Sequence, residues 1–376
     1  MPRIVISANY ICPVRGLASL EPPETGRLGR AAKTAKGIGL GRLLIPVLEE
    51  ALWRGTRAKI AFLDGLVGAL DQVAEAGLEA RFIAPTQRIL GLDWAAPPMV
   101  AGFQDPSARA VFVDGKVRHL RPLAWWADPS LIQKRIGGLQ ELAGAVCGHP
   151  ALTGWVVLDR ALEWVRPEIQ GADWVLKAFL EEIRDHDEGS VIHLGIGWSE
   201  LLEPETVGAL SPQVDGLHLS GLEVWPPDLR KPARGMHDFD AAAYLGALSQ
   251  WLFSRPTEVE VGWGFVDSLV DPEQVSEAGE RLGRQALEGI CWVNLADPEP
   301  GLNYKPPWLF RPVLIGTGLL DAGLEPKAWA ELCIRRIRGG AREAKPLDFV
   351  DVGAQEYTAE PRMHLSRLWD HFLESE

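Results

Sequence analysis

Cysteine is scarce in this chain of 376 residues. Only Cys12, Cys147, Cys291 and Cys333 occur, without a CxxC pair or a metal-finger spacing. This argues against a disulfide framework or a zinc module and favours buried, reduced thiols. The chain does not open with a basic segment and an apolar signal core, and no apolar run is long enough to span a bilayer. We therefore expect a soluble, cytoplasmic protein without a membrane partner.

Basic residues are also in deficit, with 38 Lys and Arg against 51 Asp and Glu and a net charge of -13. Because a phosphate backbone is bound by neutralising it with cations, this balance argues against nucleic acid as a partner. Tyrosine is rare, with four residues, whereas tryptophan occurs 15 times. Indole rings suit both core packing and the stacking of sugar rings. A neutral or polar substrate fits this composition best.

Short β-rich runs alternate with helical stretches along the chain, as in parallel strands joined by helices. The eight predicted strands cover about residues 3–10, 41–46, 78–84, 152–158, 191–198, 214–225, 257–265 and 289–297. This unbroken series predicts an α/β protein with a (β/α)8 TIM barrel over residues 1–340. Residues 91–128 interrupt it and predict an insertion after strand three, with a β-hairpin at Asp114-Gly115. Residues 341–376 predict a C-terminal helical tail packed on the barrel.

Barrels of this type place their chemistry at the C-terminal ends of the strands. The residues there are rich in carboxylates, cations and indoles, and poor in metal ligands and nucleophilic Ser or Cys. This set indicates a sugar site, and no cofactor or metal is expected. Its members are Asn9, Tyr10, Arg42, Asp159, Arg160, Trp198, His218, Glu260, Trp263, Trp292 and Asp297.

Several of these segments, taken in order, resemble the retaining glycoside hydrolases of clan A, most closely those like family 5. The resemblance implies that Glu260 is the nucleophile, that Arg42 supports it, that His218 is the family's usual strand-six His and that Trp292 is the sugar-binding Trp. It also implies a saccharide partner, for which Asn9, Trp198 and Trp263 are further candidate contacts. The segments that carry it are "ISANYICPVRG", "GIGLGRLLIP", "HPALTGW", "VDGLHLS", "PTEVEVGWG" and "GICWVNLADPEPG".

The fourth strand departs from the family pattern. The family ends this strand in Asn-Glu, the Glu being the general acid/base, whereas this chain has Asp159-Arg160. Asp159 and Glu163 are the candidates for a relocated acid, and Glu200 or Glu223 is a weaker option. A cation at position 160 favours ionised neighbours, which opposes general-acid work. An Asp159–Arg160 or Arg160–Glu260 ion pair that closes a dead site is the simpler alternative.

Two functions from different classes follow. The first is a glycoside hydrolase with Glu260 as nucleophile and Asp159 or Glu163 as acid/base. The second is a non-catalytic barrel, a pseudoenzyme that binds a carbohydrate or a protein without turnover. Under either reading, His218 can instead be a structural residue, and about half of the strand-end tryptophans can belong to the core. A metal-dependent barrel hydrolase is disfavoured because strand one ends in Asn9-Tyr10 without an H-x-H motif.

Overall fold

The computed structural model describes residues 4–11, 25–53, 55–231, 237–263, 271–305, 308–310, 314–341 and 347–375. Eight parallel strands close into a barrel in the order β1-β12-β11-β10-β9-β8-β3-β2, which confirms the predicted (β/α)8 fold. The barrel strands are β1 Val5–Asn9, β2 Arg42–Leu48, β3 Glu79–Thr86, β8 Leu152–Val157, β9 Val191–Gly197, β10 Gly216–Ser220, β11 Thr257–Val261 and β12 Gly289–Trp292.

Helices surround the barrel and pack their apolar faces on its strands. In the described residues they are α1 Thr25–Ile38, α2 Glu49–Leu52, α3 Thr56–Glu75, α4 Pro129–Val146, α5 Ala161–Trp164, α6 Ile169–His186, α7 Glu205–Leu210, α8 His237–Phe253, α9 Pro272–Arg284, α10 Ala328–Gly340, α11 Ala354–Ala359 and α12 Pro361–Ser375. None of these helices has the length and apolarity needed to cross a bilayer.

Helix α3 illustrates how the sequence sets these elements. Leu66, Leu70 and Val73 recur at helical spacing and are buried against the barrel. The chain then turns at Gly77, whose φ of +70° is a backbone conformation that glycine adopts without a steric penalty. Strand β3 follows within two residues and enters the barrel next to β2.

The segment after β3 forms a small separate sheet of four strands, β4 Arg88–Ile89, β5 Leu92–Trp94, β6 Ala110–Val113 and β7 Lys116–His119. Strands β6 and β7 pair antiparallel around Asp114 and Gly115, which have φ values of 49° and 74°. The sheet begins at Arg88, three residues before the predicted insertion. This early start matters because it places Arg88 over the mouth of the barrel.

The C-terminal helix α12 packs on α8. Leu365, Leu368 and Trp369 are fully buried, and the hydroxyl of Tyr244 on α8 donates to the carbonyl of Leu365 at 2.6 Å. The tail therefore contributes to the apolar core. Its separation from the barrel at residue 340 remains a prediction.

Candidate active site

The C-terminal ends of the barrel strands enclose a narrow cavity of about 30 Å³. One water molecule occupies roughly 10–15 Å³ on this measure, so the cavity holds about two waters and no sugar ring. Residues of β1, β2, β3, β10 and β11 line it together with Asp159, which follows β8, and residues 88–91 of the small sheet form its roof with Arg160. Its polar and aromatic lining consists of Asn9, Arg88, Asp159, Arg160, His218, Ser220, Glu260 and Trp263.

Glu260 lies on β11 and is 6% exposed. Its Oε2 accepts a hydrogen bond from Nδ2 of Asn9 at 2.9 Å, while its buried Oε1 has no partner among the described residues. Burial raises the pKa of Glu260 to about 7, and the charges of Glu223 and Asp159 also act to raise it. The charge of His218 and the hydrogen bond from Asn9 act to lower it. The carboxyl is therefore close to half-ionised at neutral pH.

Asp159 follows β8 and faces the same cavity. Its Oδ2 accepts from Oγ1 of Thr86, the last residue of β3, at 2.9 Å. Burial raises the pKa of Asp159, although His218, Thr86 and Arg160 oppose that rise. The cation at position 160 acts to lower the pKa of Asp159, as expected from the sequence, but desolvation has the larger effect on this carboxyl.

Arg160 points away from both cavity carboxyls. Its Nη1 lies 2.6 Å from Oε1 of Glu223, and its Nε and Nη2 donate to Oε2 of Glu163. Arg88 joins the same group, with Nη2 2.5 Å from Oε1 of Glu223 and Nη1 3.7 Å from Oε2 of Glu163. We call Arg88, Arg160, Glu163 and Glu223 the Arg160 cluster. Neither the Asp159–Arg160 nor the Arg160–Glu260 ion pair considered from the sequence is formed by these described residues.

The second candidate acid, Glu163, belongs to this cluster and does not line the Glu260 cavity. Its Oε1 accepts from the hydroxyl of Ser199 at 2.5 Å. The local backbone explains where the Glu163 side chain points. Arg160 has a φ of 50°, and helix α5, which follows it, carries Glu163 to the far side of Arg160. Of the two leading acid candidates, the structure brings only Asp159 together with Glu260.

A layer of buried charges lies directly below the cavity. Although burial acts to raise it, Arg81, His218 and Arg42 together hold the pKa of Glu258 well below its usual range. Nδ1 of His218 lies 3.1 Å from Oε2 of Glu258, and Nη1 of Arg81 lies 3.3 Å from the same atom. Burial disfavours the charged form of His218, but Glu258, Glu260 and Asp159 outweigh it and raise the pKa of the imidazole. The three carboxyls around it thus favour the charged form of His218 beneath the cavity.

Arg42 lies in this lower layer and does not contact Glu260. Its ion pairs are with Glu79 at 3.0 Å and Glu258 at 3.8 Å. The expectation that Arg42 directly supports Glu260 is therefore wrong. Arg42 is the first residue of β2, and its guanidinium pairs instead with Glu258, two residues before Glu260 on β11. Sequence reasoning did not select Arg81, which takes the central place in this layer.

The three tryptophans expected at the site occupy different environments. Trp263 is 7% exposed and lines the Glu260 cavity. Trp292 is 1% exposed; its indole N–H donates to the carbonyl of Thr317 at 2.7 Å, and Phe239 and Trp329 pack near its ring. The expectation that Trp292 forms an open floor for a sugar is therefore corrected in this structure. Trp198 lies in a second cavity, on the other side of the Arg160 cluster.

Within the described ranges, no group of three or more His, Cys, Asp or Glu side chains could hold a metal ion. The cavity instead presents two carboxyls, an imidazole, an amide and an indole. These groups can move protons and bind hydroxyls.

Solved structures with a similar fold include proteins described as GH5_18. A GH5_18 protein from Streptomyces cattleya, solved in complex with GlcNAc, superposes with a TM-score of 0.77 at 15% identity, over 98% of this chain and 90% of that one. A variant of GH5_18 from the same organism, in complex with Manβ1-4GlcNAc, gives 0.71 at 16% identity, over 92% and 82% of the two chains. GH5_18 from Bifidobacterium longum subsp. longum ATCC 55813 gives 0.71 at 14% identity, over 92% and 81%.

No protein-family model and no curated protein sequence matches the chain. At these identities the structural likeness is one of fold. The expected resemblance to clan A glycoside hydrolases is thus confirmed as a glycoside-hydrolase-like (β/α)8 barrel.

Proposed function

We propose that this barrel binds a saccharide at the C-terminal ends of its strands and hydrolyses a glycosidic bond there. Glu260 is the nucleophile and Asp159 is the acid/base. One observation carries the proposal: these two carboxyls, from β11 and the end of β8, line one buried cavity. Each also has a separate hydrogen-bond donor, Asn9 for Glu260 and Thr86 for Asp159.

Retaining hydrolysis requires one ionised and one protonated carboxyl on either side of the bond, roughly 5–5.5 Å apart. Asn9 and His218 favour the ionised form of Glu260, whereas burial favours the protonated form of Asp159. Glu260 then attacks the anomeric carbon while Asp159 transfers its proton to the leaving oxygen. A water molecule then gives a proton to Asp159 and attacks the anomeric carbon. This step releases the sugar from Glu260 and restores both carboxyl groups to their starting states.

Binding requires the roof of the cavity to open, because the space between the described residues holds only about two waters. Residues 88–91 and Arg160 form that roof. Once the roof has moved, the indole of Trp263 can stack against a sugar ring. Structural neighbours were solved with GlcNAc and Manβ1-4GlcNAc. We therefore propose a β-linked disaccharide of this kind as the first substrate to test.

The test compares wild type, Glu260→Gln, Asp159→Asn and Glu163→Gln on Manβ1-4GlcNAc and on aryl glycosides with good leaving groups. Glu260→Gln should abolish turnover of both substrates. Asp159→Asn should lose about 10²- to 10⁴-fold on the disaccharide and much less on the aryl glycoside, whose leaving group needs little protonation. Glu163→Gln is the matched control because Glu163 lies outside the cavity. Turnover that persists in Glu260→Gln contradicts the proposal.

A non-catalytic saccharide-binding barrel is the second candidate. Two observations favour it: the Glu260 cavity of about 30 Å³ is too small for a sugar ring, and Arg160 stands at the position where the resembled family has its acid. It predicts calorimetric binding of the saccharide to wild type without turnover of either substrate. Glu260-dependent turnover excludes it.

A further inference from the structure

Arg81, on β3, is buried inside the barrel below the Glu260 cavity and is 1% exposed. Its Nη1 lies 2.8 Å from Nδ1 of His193 and 3.3 Å from Oε2 of Glu258. A guanidinium group donates hydrogen bonds and cannot accept them. Arg81 therefore fixes which atoms of its neighbours accept, and the positions of the protons on the two buried histidines of this layer follow from that.

His193 has to accept the hydrogen bond of Arg81 through Nδ1, so its single ring proton is on Nε2. Nε2 lies 3.1 Å from Oε2 of Glu288, which accepts on that side of the ring. A second proton would have to occupy Nδ1 and break the contact with Arg81. Burial and the charge of Arg81 also lower the pKa of His193. His193 is thus neutral in the folded protein.

Glu258 has the opposite effect on His218. Its Oε1 accepts from the hydroxyl of Ser7 at 2.9 Å, its Oε2 accepts from Arg81, and Arg42 lies 3.8 Å away. A carboxylate held ionised in this way only accepts hydrogen bonds. Nδ1 of His218, 3.1 Å from Oε2, therefore carries a proton. His218 also lines the cavity above, so its other nitrogen, Nε2, is the atom that can gain or lose a proton there.

The first step of the proposed hydrolysis moves one negative charge between two neighbours of His218. Before the step Glu260 is ionised and Asp159 is protonated; afterwards Glu260 is esterified to the sugar and Asp159 has lost its proton. The charge of His218 favours the ionised form of each carboxyl. One imidazolium can therefore balance the negative charge in both states without itself exchanging a proton.

Titratable and charged groups surround His218 on several elements. The three carboxyls that favour its charged form come from β11 and from the end of β8. The cations around it are each paired with a carboxylate, so they oppose this effect only weakly. The groups are Glu258 and Glu260 on β11, Asp159 after β8, Arg81 on β3, Arg42 on β2, His193 on β9, Cys291 on β12, and Arg88, Arg160 and Glu223 at the mouth of the cavity.

We propose that Arg81 and Glu258 are positioning residues that hold His218 as an imidazolium during the reaction. This fixed positive charge balances first Glu260 and then Asp159. Neither Arg81 nor Glu258 lines the cavity, so both act through His218 and not on the substrate. Their role in turnover rests on the proposed function, whereas the charge that they impose on His218 does not.

The first measurement is ¹⁵N NMR of the imidazole rings in the wild-type protein, across the pH range in which it is folded. His193→Gln and His218→Gln assign the resonances. His193 should stay neutral with its proton on Nε2, which tests its contact with Arg81. His218 should keep its Nδ1 proton throughout, be charged at neutral pH and exchange a proton at Nε2 alone.

Glu258→Gln should lower the pKa of His218 by about one unit or more, because a carboxylate within roughly 4–6 Å has an effect of this size. Glu288→Gln is the matched control. Among the described residues Glu288 pairs with His193 and Arg81, at the other end of the layer from His218. Its replacement should leave the titration of His218 as in wild type.

The second measurement is the pH dependence of kcat/KM on Manβ1-4GlcNAc for wild type, Glu258→Gln, Glu258→Asp and Glu288→Gln. Glu258→Gln should move the alkaline limit of kcat/KM to lower pH, since His218 loses its charge earlier. Glu258→Asp keeps the negative charge and should restore much of the wild-type profile. Glu288→Gln should retain that profile.

Three results overturn the proposal. The first is a wild-type His218 that is neutral at neutral pH, and the second is a His218 titration that is the same in Glu258→Gln and Glu288→Gln. The third is a loss of kcat/KM by one constant factor at every pH in Glu258→Gln, which a merely structural role would give. If Glu258→Gln does not fold, the wild-type spectra still decide, because they show directly which nitrogens of His218 carry protons. Absence of turnover in wild type contradicts the proposed hydrolysis and leaves the spectra to decide the charge of His218.

Discussion

At the scale of single residues, the ionisation of Glu260 depends on opposing neighbours. Burial, Glu223 and Asp159 favour its protonated form, while His218 and Asn9 favour the carboxylate. Among the residues that the structure describes, Asn9 donates a hydrogen bond directly to Oε2 of Glu260 at 2.9 Å. The amide thus holds the carboxyl in position and stabilises its charge.

Replacement of Asn9 by Ala should raise the pKa of Glu260 above its value of about 7 in the native chain. A hydrogen bond to a charged group contributes roughly 1.5–3 kcal/mol, equivalent to about 1–2 pKa units. The shift can be followed by ¹³C NMR titration of the Glu side chains, with Glu260→Gln to assign the resonance. An unchanged titration in Asn9→Ala contradicts this account of Glu260.

The sequence predicted part of this residue-level arrangement. Strand-end positions correctly brought Asn9, Asp159, His218 and Glu260 into one cavity, because parallel strands deliver their C-terminal residues to one face. The same reasoning wrongly placed Arg42 beside Glu260. Arg42 begins β2 and therefore lies deeper in the barrel, next to Glu258. The direction of the Glu163 side chain depends on the φ of 50° at Arg160, a backbone angle that the periodicity of the sequence does not reveal. Arg81 did leave a signal, as a charge within an otherwise apolar buried strand.

At the scale of elements, the hairpin after strand β3 lines the cavity through residues 88–91. Leu90 and Gly91, with φ values of 50° and 72°, form a tight turn between β4 and β5. The turn sets Arg88 opposite Asp93, and Arg88 also reaches Glu223 across the mouth. One short hairpin therefore connects the insertion to the end of β10.

Replacement of Arg88 by Ala should open the mouth. The change removes the ion pairs to Glu223 and Asp93, and Arg160 remains to compensate Glu223. We expect a loss of about 1–3 kcal/mol in the free energy of unfolding. We also expect covalent labelling of Glu260 by an activated 2-deoxy-2-fluoro glycoside to become several-fold faster, as measured by intact-protein mass spectrometry.

Arg109→Ala is the matched control for this experiment. Arg109 pairs with Asp93 as well, but it lines only the second cavity. Its replacement should leave the labelling rate unchanged. Equal rates in Arg88→Ala and wild type would show that Arg88 does not close the site.

At the scale of the whole molecule, the barrel buries an unusual amount of charge. Arg81, His193, His218 and Glu258 are all at most 1% exposed inside it. A chain of contacts runs from Glu288 through His193 and Arg81 to Glu258 and His218, with atoms 2.8 to 3.3 Å apart. The alternation of buried strands predicted the barrel. The contacts in this chain join residues up to 177 positions apart, which no local sequence pattern reveals.

The pH dependence of stability follows from the buried carboxyls that remain protonated. Burial raises the pKa of Glu200 to about 8 from an ordinary value of 4.5. For a group whose folded-state pKa is raised, the contribution to stability is complete below the unfolded pKa and is lost as the pH rises through the folded one. Glu200 should therefore stabilise the fold at pH 4.5 and lose that contribution progressively up to pH 8.

The Glu200→Gln variant isolates this contribution, because the amide keeps the shape of a neutral carboxyl and does not ionise. The free energy of unfolding of wild type, relative to Glu200→Gln, should fall by roughly 2–4 kcal/mol between pH 4.5 and pH 8. Urea denaturation followed by tryptophan fluorescence at several pH values measures the difference, with exposed Glu181→Gln as control. A difference that stays constant over this range would mean that the pKa of Glu200 is not raised and that its carboxyl is ionised in the folded protein.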